Sequence, residues 1–242
     1  MVKRVRTSSA FKFVGAIASL FLGAGLLPAQ PLDTQTVIQQ VDAAVKARLD
    51  HVESYTVTEH YAVFRGDDET HAQAEMTVKT LYQRGTGKTY TILSESGSGA
   101  IRKFVLEPIL DNEKHLNEPG VREGSWLTSA NYEMRLKPEA NQKLGAHDSI
   151  ALAITPRRKA PYLLDGTIWV DSQTYQIVQI QGTGSKAASI LTQPTQMMRQ
   201  YESVEGYAMG THARAVTNSA LLGPTIVKID YLDYHMQLSP AK

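Results

Sequence analysis

From Tyr55 to Phe64 the apolar side chains recur at every second position, Tyr55, Val57, Tyr61 and Val63, and Glu59 breaks the row. A period of two is that of a strand with one buried face. Gly66-Asp67-Asp68 marks a turn. A second strand follows over about 72–83, with Met76, Val78 and Tyr82 on one face. Gly85–Lys88 is another turn, and Thr89–Ser94 forms a third strand with Tyr90 and Ile92 in phase. Three strands joined by short turns predict an antiparallel meander. Ahead of them, Val37, Ile38, Val41, Ala44, Val45 and Leu49 place one apolar stripe on a helix over 34–49, with Asp33 or Thr34 as its N-cap.

Ser96-Gly97-Ser98-Gly99 ends the alternation. From Ile101 to about Leu116 the period becomes helical, with Ile101, Phe104, Val105, Ile109 and Leu116 on or near one face. Pro108 has no N–H to donate, so it must kink or split that helix. Pro119, Gly120 and Gly124 close the segment, and strands resume near 130–137, 149–155, 166–171, 175–182, 196–204, 210–218 and 225–236. The whole predicts an α+β chain: a large antiparallel sheet of about ten strands, one N-terminal helix and one mid-chain helical insertion covering the sheet. A sheet of that size twists and curls.

The first 29 residues read differently. Lys3, Arg4, Arg6 and Lys12 precede an uncharged apolar run, Phe13–Leu27, and small or turn residues follow at Gly23, Ala24, Gly25, Pro28 and Ala29. That order is the secretory signal-peptide pattern, and the run falls short of the roughly 20 residues of a spanning helix. The expectation is cleavage after Ala29, leaving residues 30–242 as a single domain without a stable membrane span. No arginine pair precedes the apolar run, so the route is Sec-type export to the periplasm. Cysteine is absent, which excludes disulfides, thiolate chemistry and a lipid-bearing cysteine. The signal removes four of the 25 basic residues and none of the 24 acidic ones. The mature net charge of about −3 argues against nucleic acid as a partner.

Chemistry-bearing motifs fail on inspection. Gly87-Lys88-Thr89 resembles the end of a phosphate loop, but Tyr82 stands where the first glycine belongs, and the segment joins strand to strand. Gly97 and Gly99 open a dinucleotide fingerprint that Arg102 breaks, and no G-x-S-x-G elbow exists. The seven histidines are dispersed. Glu59-His60 and His147-Asp148 are sequence neighbours, which point to opposite faces of a strand. Asp67, Asp68 and Glu69 read as a solvated turn or a cation contact, and Arg157-Arg158-Lys159 as a charged turn or a contact for an anionic head group. No catalytic residue, metal or cofactor is expected, and the chain is not read as an enzyme.

Tyr162-Leu163-Leu164-Asp165-Gly166-Thr167-Ile168-Trp169-Val170-Asp171, followed by Tyr175-Gln176-Ile177-Val178-Gln179-Ile180-Gln181-Gly182, resembles the bacterial outer membrane lipoprotein-sorting group. Asn131-Tyr132, Thr155-Pro156-Arg157 and the closing Ile229-Asp230-Tyr231-Leu232-Asp233-Tyr234 add to the resemblance. It is clearest after Asn131. It implies the LolA/LolB/RseB-like fold, an unclosed, highly curved half-barrel with helices on its concave side and an apolar cavity for acyl chains between them. On that reading Tyr55, Val57, Tyr61, Val63, Met76, Val78, Tyr90 and Ile92 line the concave face, and Ile101, Phe104, Val105 and Ile109 belong to the covering helix. Met197-Met198 adds adaptable apolar surface. The implied function is a non-catalytic periplasmic carrier or sensor of a lipid or lipidated protein, with acyl chains and an envelope protein as partners. The alternative is a protein-interaction or regulatory module with a filled core and no lipid. A dry core and a lipid cavity share one sequence pattern.

Overall fold

The computed structural model describes residues 33–187, 189, 192–219 and 223–239, all within one compact unit. The proposed signal segment lies outside them. Helix α1 (Thr34–His51) starts at Asp33, whose carboxylate accepts from the Thr36 backbone N–H at 2.9 Å and from its hydroxyl at 2.6 Å. Its stripe buries Val37, Ile38 and Val41. The chain then runs directly into β1 (Val52–Arg65), β2 (Ala74–Gln83) and β3 (Gly87–Gly97), the expected meander with longer strands. Tyr61 stands opposite Met76, and Glu59 opposite Val78.

The insertion leaves the sheet at Gly97, whose φ of +70° and close approach to Gln73 require glycine: a Cβ there would lie 2.4 Å from the Gln73 carbonyl oxygen. Helical turn α2 (Gly99–Ile101) is capped by Ser98. A π-helical turn, Arg102–Leu106, leads into α3 (Glu107–Leu116), with Pro108 in the first turn. Proline is tolerated there because the missing N–H would be an orphan, so the split expected at Pro108 takes the form of a π turn. The extra residue of that turn also rotates the stripe. Leu106 and Leu110 become the deeply buried positions, 0% and 3% exposed, with Ile101, Val105 and Ile109 beside them. Phe104 is 73% exposed.

A 3-10 turn (Arg122–Ser125) precedes seven further strands: β4 (Tyr132–Leu144), β5 (His147–Pro156), β6 (Leu164–Asp171), β7 (Ile177–Gly184), β8 (Gln196–Val204), β9 (Tyr207–Ser219) and β10 (Gly223–Leu238). All ten form one antiparallel sheet in the order β3-β2-β1-β10-β9-β8-β7-β6-β5-β4. Strands consecutive in the chain are neighbours in the sheet, except β3 and β4, which the insertion separates. The long-range closure is β10 on β1, which brings the last strand beside the first. Strands β3 and β4 remain edges, so the curved sheet is an unclosed half-barrel, the α+β layout that the sequence implies.

The sheet carries two covers. Val37, Ile38 and Val41 of α1 pack on β4–β7 with Tyr132, Ile150, Leu152, Ile154, Ile168, Val170 and Ile180. Leu106 and Leu110 of the insertion pack on β1, β2, β9 and β10 with Tyr55, Val57, Tyr61, Val63, Met76 and Val78. A small third cluster, Ala62, Phe64 and Ile226, lies on the opposite face of β1. Ile168 is fully buried at the centre of the α1 half. Ile168→Ala removes its packing and leaves a void, so urea unfolding should show a loss of about 2–5 kcal/mol.

A charged cluster beneath the mid-chain helix

The face under α3 is apolar and aromatic, and four charges stand inside it. Glu59 on β1 is 1% exposed. Its Oε2 accepts a 2.5 Å hydrogen bond from the Tyr61 hydroxyl, while its Oε1 has no hydrogen-bond partner, with Lys88 Nζ 4.0 Å away. Lys88, at the start of β3, is 9% exposed and donates to Glu113 Oε2 of α3 at 2.6 Å. Arg199 on β8 lies over Gly210, where a Cβ would come within 2.7 Å of its Nη2. Its guanidinium carbon is 4.8 Å from the ring centre of Tyr231 and 5.4 Å from that of Tyr201. Its Nε is shut off from solvent and meets no acceptor.

Register sets out the rows of the sheet from which these groups reach toward one another. Arg199 pairs with Ala213, Ala213 with Ile229, Ile229 with Tyr61 and Tyr61 with Met76, one row across five strands. A parallel row carries Tyr55, Tyr82 and Lys88, in which Tyr55 and Tyr82 stack at 5.0 Å. Small residues, Ala213 and Gly210, leave the room that the Arg199 side chain fills.

Lys88 and Glu113 hold each other ionised. Burial pulls the Lys88 ammonium down, but Glu113 and Glu59 outweigh it and keep its pKa well above the ordinary lysine value. Burial likewise pushes Glu113 up, yet Lys88 and Arg199 bring it below the ordinary carboxylate value. Desolvation, then Glu113 and Glu59, push the Tyr61 phenol up, so it stays protonated and donates to Glu59. Around this centre the insertion is fixed by polar contacts at its edges. Tyr90 donates to Asp111 at 3.2 Å, and Arg122 donates to the Tyr82 hydroxyl at 3.2 Å and to the Arg84 carbonyl at 2.6 Å. Arg48 of α1 also holds a buried Nε without an acceptor.

Of the residues expected to line the concave side, Tyr55, Val57, Tyr61, Val63, Met76 and Val78 are buried together, and Tyr90, Ile101, Val105 and Ile109 pack at their margin. Ile92 and Phe104 stand apart, at 42% and 73% exposed. Ile92 adjoins a bulge on the edge strand, where pairing skips from Thr77–Ser94 to Val78–Ile92. Phe104 is turned out by the π turn. The space between β1–β3 and α3 is nearly full, with a cavity of about 10 Å³ lined by Glu59, Thr80, Lys88, Leu110 and Glu113 among others. That is room for about one water. A shallower groove of about 170 Å³ lies over β7–β9, lined by Gln181, Gly182, Thr183, Gln196, Met197, Met198 and Arg214.

The other candidates have structural employment. Arg157 donates to the Ser129 carbonyl and Arg158 to the Gly124 carbonyl, so both brace the loop before β4. Asp68 accepts from Thr70 and His71 within its own turn, and Glu69 pairs with Arg214 and Lys228. His60 contacts Thr77, and His147 bridges Asp171 and Glu202, so each histidine finds its partners on other strands rather than in its acidic sequence neighbour. Among the described residues, no group of three or more His, Asp or Glu is placed to hold a metal ion, and no helix is long and apolar enough to cross a membrane.

No family model matches the chain, and no curated protein sequence does. Solved structures align over most of its length. A LolA superfamily protein from Nitrosomonas europaea covers 87% of this chain and 96% of its own, at 12% identity and a TM-score of 0.44. A domain from Vibrio parahaemolyticus assigned to outer membrane lipoprotein sorting covers 86% and 94%, at 12% identity and a TM-score of 0.45. A DUF1329 family protein from Desulfovibrio piger covers 85% and 95%, at 13% identity and a TM-score of 0.41.

Removing one partner of a buried pair strands the other charge. Lys88→Met should therefore cost about 3–5 kcal/mol in urea unfolding. The double variant Lys88→Met/Glu113→Leu should recover much of that loss, and failure to recover would mean that the pair is not the fastening. Glu113 has its folded pKa depressed below 4.5, so its stabilising contribution is present above pH 4.5 and is lost as pH falls through the lower folded value. Acid titration of stability should show a shallower fall in Glu113→Gln than in the wild type.

Proposed function

We propose that the chain is a non-catalytic binding protein of the bacterial periplasm, exported by its N-terminal segment, that carries or senses a lipid or a lipidated protein. The acyl chain would lie against Tyr55, Val57, Tyr61, Val63, Met76 and Val78, in the space that α3 now fills. The observation that carries this reading is the way the sheet is covered. Helix α1 is held by an apolar stripe, whereas the insertion leaves the sheet at Gly97 and is fastened by an ion pair set among tyrosines. A group held that way can be released by a competing charge, and what it uncovers is a continuous apolar and aromatic face. Each methylene of a chain buried there contributes about 0.8 kcal/mol. The resemblance of residues 131–234 to the lipoprotein-sorting group supports the same reading.

The near-full space under α3 favours a second reading. On it the chain is an interaction or regulatory module of the envelope, with α3 permanently seated and an envelope protein as its partner.

Native mass spectrometry of the protein purified from a periplasmic extract separates the two. The expected result is an added mass that lipid extraction identifies as a phospholipid or lipopeptide and that detergent removes. A bare polypeptide mass, together with no uptake of a fluorescent fatty acid, would leave the interaction module as the function.

A further inference from the structure

With α3 in place the cluster balances two carboxyl groups against two cations: Lys88 lies beside Glu59 and Glu113, and Arg199 acts on Glu113 through space. Three of these belong to the sheet and one to the insertion. When α3 lifts it takes Glu113 with it, and the sheet face keeps two cations against one carboxylate. That excess positive charge would sit in an aromatic layer where water solvates it poorly, and an unpaired buried charge is costly. Arg199 is already under-coordinated with α3 seated. Its contacts are two tyrosine faces, and its buried Nε has no acceptor. A guanidinium so placed presents planar donors that suit a carboxylate or a phosphate oxygen pair.

We propose that Lys88 and Arg199 form the anchor for a single anionic group on an otherwise apolar ligand, and that Glu113 is its built-in stand-in, occupying the anchor while α3 is closed. This deepens, and rests on, the lipid-binding reading above. It assigns the ligand class as a monoanionic amphiphile, with either a fatty carboxylate or a phosphodiester supplying the charge. It also gives the cover a release step. The ligand's anionic group replaces the Glu113 carboxylate on Lys88, satisfies Arg199, and leaves α3 with no charge to return to. Glu59, whose Oε2 is held by Tyr61, keeps the site from taking a dianion without excess negative charge.

The test compares dansyl-labelled undecanoic acid with its methyl ester, which has the same chain but no charge, by fluorescence titration of the full mature protein. The wild type should bind the acid at least about tenfold more tightly than the ester, as charge-assisted hydrogen bonds of this kind imply. Arg199→Gln should lose that preference by weakening the acid and moving the ester by less than about threefold, while Arg199→Lys should keep much of it. Glu113→Gln should tighten acid and ester alike, by about tenfold, because the closed state loses its fastening, and should leave the preference for the acid in place. The wild-type comparison of acid with ester, together with Arg199→Lys, carries the test should Arg199→Gln not fold, which thermal unfolding reads directly. Competition by palmitate against lysophosphatidylglycerol then names the source of the anion, and displacement by either keeps the anchor. Equal binding of acid and ester, or equal loss of both in Arg199→Gln, overturns the anchor and leaves lipid binding standing. Binding of neither probe overturns the lipid-binding reading together with the anchor.

Discussion

The contact between Lys88 and Glu113 decides what kind of object this half-barrel is. An ion pair in a layer of tyrosines and aliphatic side chains costs desolvation on both sides. A leucine at each position would hold α3 to the sheet at least as well. On the proposed reading the charges would supply conditionality, since a charged contact can be exchanged for another charge of the same sign. Glu59, Tyr61 and Arg199 follow from that choice. Once Lys88 and Glu113 are inside, the neighbouring groups must hold them ionised, and the shifted pKa values of the cluster record that mutual support.

The two covers make the contrast within one molecule. Helix α1 buries Val37, Ile38 and Val41 in a core built from β4 to β7, and its polar tie is Asp42 to Ser129 at the rim. The insertion places only Leu106 and Leu110 deep in the sheet's other half and sets its charge between them and the strands. Cooperative unfolding of one sheet would couple the two halves, but local opening need not. The half whose cover leaves the sheet at Gly97 and sets an ion pair among its apolar contacts is the one expected to open first.

Much of this was legible in the chain. The alternation at 55–64, the stripe at 34–49 and the turn at Gly66–Asp68 are local signals, and the strands and helix they predict are present because packing agrees with propensity at those places. The order of the first three strands followed from their short turns. Two kinds of feature did not follow. The π turn moved Leu106 and Leu110 inward and Phe104 outward, since a single extra residue shifts every later side chain on the stripe, and no periodicity count anticipates it. Ile92 keeps the predicted phase, paired with buried Val78, and is exposed because β3 is an edge of the sheet.

The charged cluster was visible in the sequence as a set of faults. Glu59 interrupts the Tyr55–Val63 row. Lys88 is in phase with Tyr90, Arg199 falls between Met197 and Tyr201, and Glu113 stands seven residues after Leu106 on the same helical face. Each occupies a position where the period calls for an apolar side chain. Taken singly, such a fault is most simply an exposed position or the end of an element, so sequence alone gives no reason to connect them. The sheet order supplies the connection. Strands β8, β9, β10, β1 and β2 lie side by side, so Arg199 shares one row with Tyr61, and Tyr61 holds Glu59. That row exists only because β10 returns to pair with β1, the one pairing in the sheet between strands that are not consecutive in the chain. Breaks in local pattern therefore become a single site through non-local pairing, and the closure that shapes the half-barrel is also what assembles its charges.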